Sequence, residues 1–128
     1  MIEKKISFTK NERIKSNKEI SRVFNCGIFL FTEHITLCYT KGPDINPKYN
    51  KIAVSVPKKN FKSAVKRNKI KRQIKEVYRL NKDIINSLSE LNSIYYSMVF
   101  VYKSKNLIPF QSIKEQVISL LKKMRGQQ

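Results

Sequence analysis

Ala64–Arg79 reads AVKRNKIKRQIKEVYR, and its periodicity decides the architecture of the chain. On a helix of 3.6 residues per turn, Ile70, Ile74, Val77 and Tyr78 fall on one side and form a core-facing stripe. Asn68, Arg72, Lys75 and Arg79 fall on the opposite side, with Lys71 flanking them. From Lys58 to Arg79 there are ten Lys or Arg and only Glu76 to offset them, so intramolecular pairing cannot neutralise the edge. A solvated face would be the plain reading of such a helix. The imbalance instead asks for an anionic partner, and phosphate suits it best, because guanidinium forks take it bidentately and Lys acts as a point charge.

Outside this stretch the composition agrees. The 128 residues carry 27 Lys plus Arg against 9 Asp plus Glu, a formal charge of +18. That is the electrostatic footprint of a nucleic-acid binder on a chain long enough for one domain with one core. No segment approaches the roughly 20 apolar residues that span a bilayer, and no secretory signal opens the chain, so no membrane role and a cytoplasmic location are expected. Cys26 and Cys38 lack CxxC spacing and sit in apolar surroundings, which predicts buried free thiols.

In order, Met1–Lys15 is a basic arm, expected to be extended and partly mobile until bound. Ser16 followed by Glu19 is a capping-box signature and Gly27 a stop, so the spacing predicts a short helix over 17–25. Its apolar residues Ile20, Val23 and Phe24 are core, or one of them, Phe24, borders a groove and stacks on a nucleotide. Ile28–Thr40 reads as one strand, aromatic at Phe29 and Phe31, with Ile35, Leu37 and Tyr39 on one face. His34 beside Glu33 has no legible catalytic partner. Lys41–Asn50 is a loop by composition, and Lys51–Val56 a second strand ended by Pro57.

The basic helix begins near Phe61 or Ser63, and Leu80–Asn92 extends it or forms a second short helix. Tyr95–Tyr102 is apolar or aromatic on both faces and therefore central. Ile113, Val117, Leu120, Leu121 and Met124 mark a closing helix. Strand, basic helix, strand is a parallel crossover unit, right-handed by default. A three- or four-stranded sheet covered by helices follows, an α+β two-layer sandwich in a single domain spanning 1–128. Between the first helix and the open sheet face a cleft is expected, with Phe24, Tyr39 or one of Tyr96 and Tyr102 on its wall.

Ala64 through Arg72, with Lys75, Glu76 and Arg79 beyond, resembles the signature helix of the bacterial ribonuclease P protein subunit, whose pattern is Arg-Asn-Arg followed by Ile-Lys-Arg. Val54, Ser55, Val56, Pro57, Lys58 and Lys59 look like the family's strand and basic approach, and Val23, Phe24 and Gly27 like its Val-Phe-x-x-Gly. There are three departures. Lys69 replaces the second Arg of the motif, Ile20 stands where a Phe is usual, and the glycine after the Lys-Lys approach is missing, its bend filled by Asn60, Phe61, Lys62 and Ser63.

The resemblance implies a left-handed β-α-β crossover around the basic helix, as in the second domain of the fifth small-subunit ribosomal protein, against the default hand. It implies the protein part of an endoribonuclease, a ribonucleoprotein hydrolase that cuts the 5′ leader from precursor tRNA. The RNA carries the chemistry, with Mg2+ held mainly by RNA and substrate phosphates, no organic cofactor and no protein catalytic residue. Arg67, Asn68, Lys69, Lys71, Arg72, Lys75 and Arg79, with Lys58 and Lys59, would bind ribonuclease P RNA. Phe24, Ile20, Tyr39 and Tyr96 would line the leader cleft. The partners are that RNA and precursor tRNA, with one monomeric protein per RNA. Two rivals are a ribosomal or other structural RNA-binding protein and a protein-only nuclease. The latter needs converging carboxylates, whereas the nine acidic residues are scattered singly.

Overall fold

The computed structural model describes residues 8–43 and 49–127. A four-stranded mixed sheet has the order β1-β2-β4-β3, built from β1 (Ile28–Phe31), β2 (Ile35–Lys41), β3 (Lys51–Ser55) and β4 (Tyr96–Tyr102). The helices are α1 (Asn17–Cys26), α2 (Ala64–Asn81), α3 (Asp83–Asn92) and α4 (Phe110–Gly126). β4 is central, antiparallel to β2 and parallel to β3, so α2 and α3 form the crossover between parallel neighbours.

Alternation along the strands divides the core in two. Leu37, Ile52, Met98, Phe100 and Tyr102 bury against Ile70, Ile74 and Val77 of α2, Ile85 of α3, and Ile113, Val117 and Leu121 of α4. On the other face Cys38 and Val99 pack with Val23 of α1 and Ile14 of the N-terminal segment. The sandwich thus has its two main layers, and α1 lies across part of the second sheet face.

Most expected elements are present, with three differences. Ile28–Thr40 is a hairpin rather than one strand. Phe31 pairs with Thr36, and the Thr32 backbone N–H (2.9 Å) and hydroxyl (2.7 Å) both donate to the Ile35 carbonyl. The threonine hydroxyl closes the turn by a side-chain to backbone bond, as Asn or Asp often does elsewhere. Gln116 of α4 then pins the turn, accepting from the His34 N–H at 2.8 Å and the Thr32 hydroxyl at 2.9 Å.

The second difference concerns the arm. Residues 1–7 lie outside the described residues, as do 44–48 of the expected loop. Beyond residue 7 the arm is ordered: Lys10–Glu12 make a turn of 3-10 helix, and Arg13 bridges Ile52 at the edge of β3, where the Ile14 N–H reaches the Ile52 carbonyl at 2.9 Å. Glu12 is buried and accepts from Lys82 Nζ at 2.9 Å, tying the arm to the α2–α3 junction.

Third, the Ser16–Glu19 box is half made. Ser16 Oγ accepts from the Glu19 N–H at 3.3 Å, but the Glu19 carboxylate accepts from Ser97 Oγ at 2.7 Å, joining α1 to β4. Gly27 ends α1 as expected, for a packing reason. A Cβ there would lie 2.4 Å from the Val23 carbonyl oxygen and 2.7 Å from Cys38 Sγ, so only glycine lets α1 turn into β1 this close to β2. Of the two thiols, Cys38 is buried and Cys26 exposed. Its removal from water pushes the Cys38 thiol up to about 11.

Candidate nucleic-acid interface

α2 begins at Ser63, whose hydroxyl accepts from the Lys66 N–H at 3.3 Å. The bend before it contains no glycine. It is closed by the Asn60 N–H on the Pro57 carbonyl at 3.1 Å and by Arg67, whose guanidinium donates to the carbonyls of Phe61 (2.7 Å) and Lys62 (3.0 Å). Phe61 anchors the bend, buried edge-on against Tyr102 with ring centroids 5.9 Å apart. Part of Arg67's donor capacity is therefore structural. Lys58 and Lys59 are exposed on the turn ahead of it.

Along α2, Ile70, Ile74, Val77 and Tyr78 are buried, as the periodicity predicts, and Asn68, Lys69 and Arg72 are exposed on the opposite crest. The seven candidate residues of this helix are not equivalent. Arg79 is held by Glu76 at 2.6 Å, and this hydrogen-bonded pair lowers the Glu76 carboxyl and raises the guanidinium. Lys69, Lys71, Arg72 and Lys75 have no hydrogen-bond or ion-pair partner among the described residues. Lys75 is half-buried. Desolvation first, then the charges of Arg13 and Lys71, hold its ammonium below the usual lysine range, an environment that an added anion relieves.

Lys69, Arg72 and Lys75, with Arg79, border a groove of about 570 Å³ walled by Phe8 and Arg13 of the N-terminal segment and Phe110 of α4. The Arg13 guanidinium sits 5.0 Å over the Phe8 ring, and Phe8 meets Tyr78 edge-on at 6.0 Å. A second hollow, about 450 Å³, opens at the start of α2 among Asn60, Lys62, Lys66 and Lys105.

On the other sheet face, Ile20 packs against the small core of Ile14, Val23, Cys38 and Val99, and Phe24 stands 36 % exposed on α1. Ile20 and Phe24 thus lie one turn apart on α1, toward the same sheet face. Tyr39 and Tyr96 do not join them. Strand parity turns both to the α4 side, where they are buried ring against ring at 5.8 Å and the Tyr39 hydroxyl donates to Gln127 at 2.5 Å. The ring beside Phe24 is that of Phe29, with Phe31 next to Phe29, and their aromatic excess on a strand is the available signal. Arg13, Lys62, Lys66, Lys103 and Lys105 also lie at these surfaces and were outside the sequence-derived set. Arg13, Lys62, Lys103 and Lys105 are single cations in irregular segments, with no periodicity to flag them, and Lys66 lies in the first turn of α2, off the side that carries Asn68, Arg72, Lys75 and Arg79. Among the described residues no three His, Cys, Asp or Glu side chains gather as a metal site, and no helix is long and apolar enough to cross a membrane.

Fold and site together define a small, strongly basic α+β domain whose unpaired cations line one helix crest. The family model of ribonuclease P matches residues 8–125. The chain belongs to the ribonuclease P protein family. The ribonuclease P protein component of Porphyromonas gingivalis is 33 % identical over 118 residues, 92 % of this chain and 86 % of that protein. That of Petrotoga mobilis is 34 % identical over 125 residues, covering 94 % and 97 %. In fold, the chain is similar to the RNase P protein of Staphylococcus aureus, with a TM-score of 0.72 at 23 % identity over 88 % of this chain and 94 % of that one. The protein from Thermotoga maritima gives 0.71 at 24 %, covering 88 % and 96 %.

Proposed function

We propose that this protein is the RNA-binding subunit of a ribonuclease P holoenzyme that removes the 5′ leader of precursor tRNA. The observation that carries the reading is the set of unpaired cations Lys69, Lys71, Arg72 and Lys75 around the exposed side of α2, in a chain matched by the family over 8–125. The crest, with Asn68 and the adjoining Lys58 and Lys59, binds the RNA subunit by phosphate contacts. Arg67 and Arg79 contribute less than the motif suggests, since each already serves another group. The groove beside α1, at Ile20 and Phe24, takes the single-stranded leader by stacking, which tolerates leaders of any sequence.

Hydrolysis of the phosphodiester needs activated water and stabilised charge on the transferring phosphate, which Mg2+ held by RNA and substrate phosphates supplies. The protein's own contribution is electrostatic and positional. Its cations offset phosphate repulsion as two RNAs come together, so less free Mg2+ is needed to hold the complex. We assign one protein to each RNA, in the cytoplasm.

The test is cleavage of precursor tRNA at low Mg2+ by a bacterial ribonuclease P RNA, with and without this protein, and by the protein alone. Stimulation that requires the RNA is the expected result. Cleavage by the protein alone overturns the division of labour, and no effect in any mixture makes it a general RNA binder.

A further inference from the structure

Beside α1, the outer strand β1 presents an apolar surface that the core does not use. Phe24, Phe29 and Phe31 are 36 %, 43 % and 59 % exposed, the last two on an edge strand, where polar residues are usual. Their rings are nearly parallel: Phe24 to Phe29 is 6.4 Å between centroids at 14°, and Phe29 to Phe31 is 6.3 Å at 15°. At the far end, Lys103 Nζ lies 5.4 Å from the Phe31 centroid and donates to the Thr32 carbonyl at 3.1 Å. Across the strands Phe31 is paired with Thr36 and Thr36 with Val101, so the Thr36 side chain shares this face. Thr36 is 5 % exposed and its hydroxyl has no hydrogen-bond partner among the described residues.

We infer that Phe29 and Phe31, with Lys103, form a second stacking platform for single-stranded RNA, continuous with Phe24 and carrying the leader past α1 along β1. This rests on the reading of the α1 groove as the leader site. Three features select the occupant. The ring spacing is about twice the ~3.4 Å rise of stacked bases, so a strand that uses successive rings must be unstacked, which a single strand allows and a duplex does not. The terminal cation suits a phosphate beside a stacked base. A second copy of the chain would bring another +18 charges to the same edge, which opposes self-association through it.

The experiment measures holoenzyme affinity, reconstituted with a bacterial ribonuclease P RNA, for precursor tRNAs whose leaders grow one nucleotide at a time, with mature tRNA as reference. Phe24→Ala, Phe29→Ala and Phe31→Ala are compared with wild type, each having been checked for an unchanged melting temperature. The expected losses are about 5- to 100-fold per ring, absent for mature tRNA, and the leader lengths at which they set in follow the order Phe24, Phe29, Phe31 in one direction or the other. Phe29→Leu with Phe31→Leu, which keeps apolar bulk, should restore little. Equal affinity of wild type and the Phe29 and Phe31 variants at every leader length overturns the platform while leaving the groove intact. If wild type itself does not distinguish precursor from mature tRNA, the groove reading falls instead. A protein dimer that dissociates on Phe29→Ala with Phe31→Ala, seen by sedimentation, would assign the surface to self-association and also overturn the proposal.

Discussion

Replacing Arg72 and Lys75 together with alanine removes two of the four crest cations that have no partner among the described residues, and both point away from the buried stripe. If each contacts one phosphate, the slope of log affinity against log salt falls by about 0.7–0.9 per contact, hence by roughly 1.5 for the pair. Between 50 and 200 mM monovalent salt the wild type should then lose about tenfold more affinity than the variant. Equilibrium binding to a bacterial ribonuclease P RNA at five or six salt concentrations and neutral pH measures this directly. A companion substitution tests the inequality of the cations from the other side. Glu76→Gln releases Arg79 from its 2.6 Å partner, so affinity should rise and the slope steepen by up to about one contact. Parallel salt lines for a double variant that melts like wild type would remove the α2 crest from the RNA interface. An unchanged line for Glu76→Gln would mean that Arg79 faces no phosphate.

Two further outcomes concern stability. Gly27→Ala places a methyl within 2.4–2.9 Å of the Val23 and Tyr39 carbonyls and Cys38 Sγ, two of them backbone atoms that cannot swing away. It should cost about 1–3 kcal/mol, read as a lowered midpoint in urea with unchanged m; an unchanged midpoint would show that the α1–β1 corner is loose. At pH 8 a thiol reagent should titrate Cys26 rapidly and Cys38 only after denaturation, since a group near 11 is about one part in a thousand thiolate there and has no access. Because the native state holds the Cys38 proton more tightly than the unfolded chain, stability should fall as pH rises from 9.0 towards 11, and Cys38→Ala should flatten that fall.

How much of this was legible depended on periodicity. α2, α4 and β4 announce themselves because Ile70, Ile74, Val77, the α4 stripe and the two-sided apolar run at 96–102 repeat at helix or strand spacing. The hairpin at Thr32–His34 did not, because its turn is made by a threonine hydroxyl rather than by Gly or Asn. The burial of Tyr39 and Tyr96 on the α4 side, away from α1, is not legible for a related reason. In a strand covered on both sides, alternation gives two apolar sets without saying which faces the groove. The basic motif located the crest, but not that Arg67 would close a glycine-free bend or that Arg79 would be taken by Glu76. Those depend on carbonyl and carboxylate positions that exist only once the chain is folded.

The place of β4 has a consequence for biosynthesis. Both neighbours of this central strand lie far upstream in the chain, β2 pairing from Ile35 and β3 from Lys51, so nothing joins them until residues 96–102 have left the ribosome. Until then the β1–β2 hairpin stands alone, a form that is marginal in water, and β3 has no strand to pair with. The cation-rich α2 has already been synthesised by that time. A nascent chain at this stage exposes apolar strand faces together with a strongly positive helix, and polyanions nearby, the ribosome's own RNA foremost, are the first partners it meets. A chain cut short between residues 81 and 96 would retain the basic helix but lack the strand that organises the sheet around it.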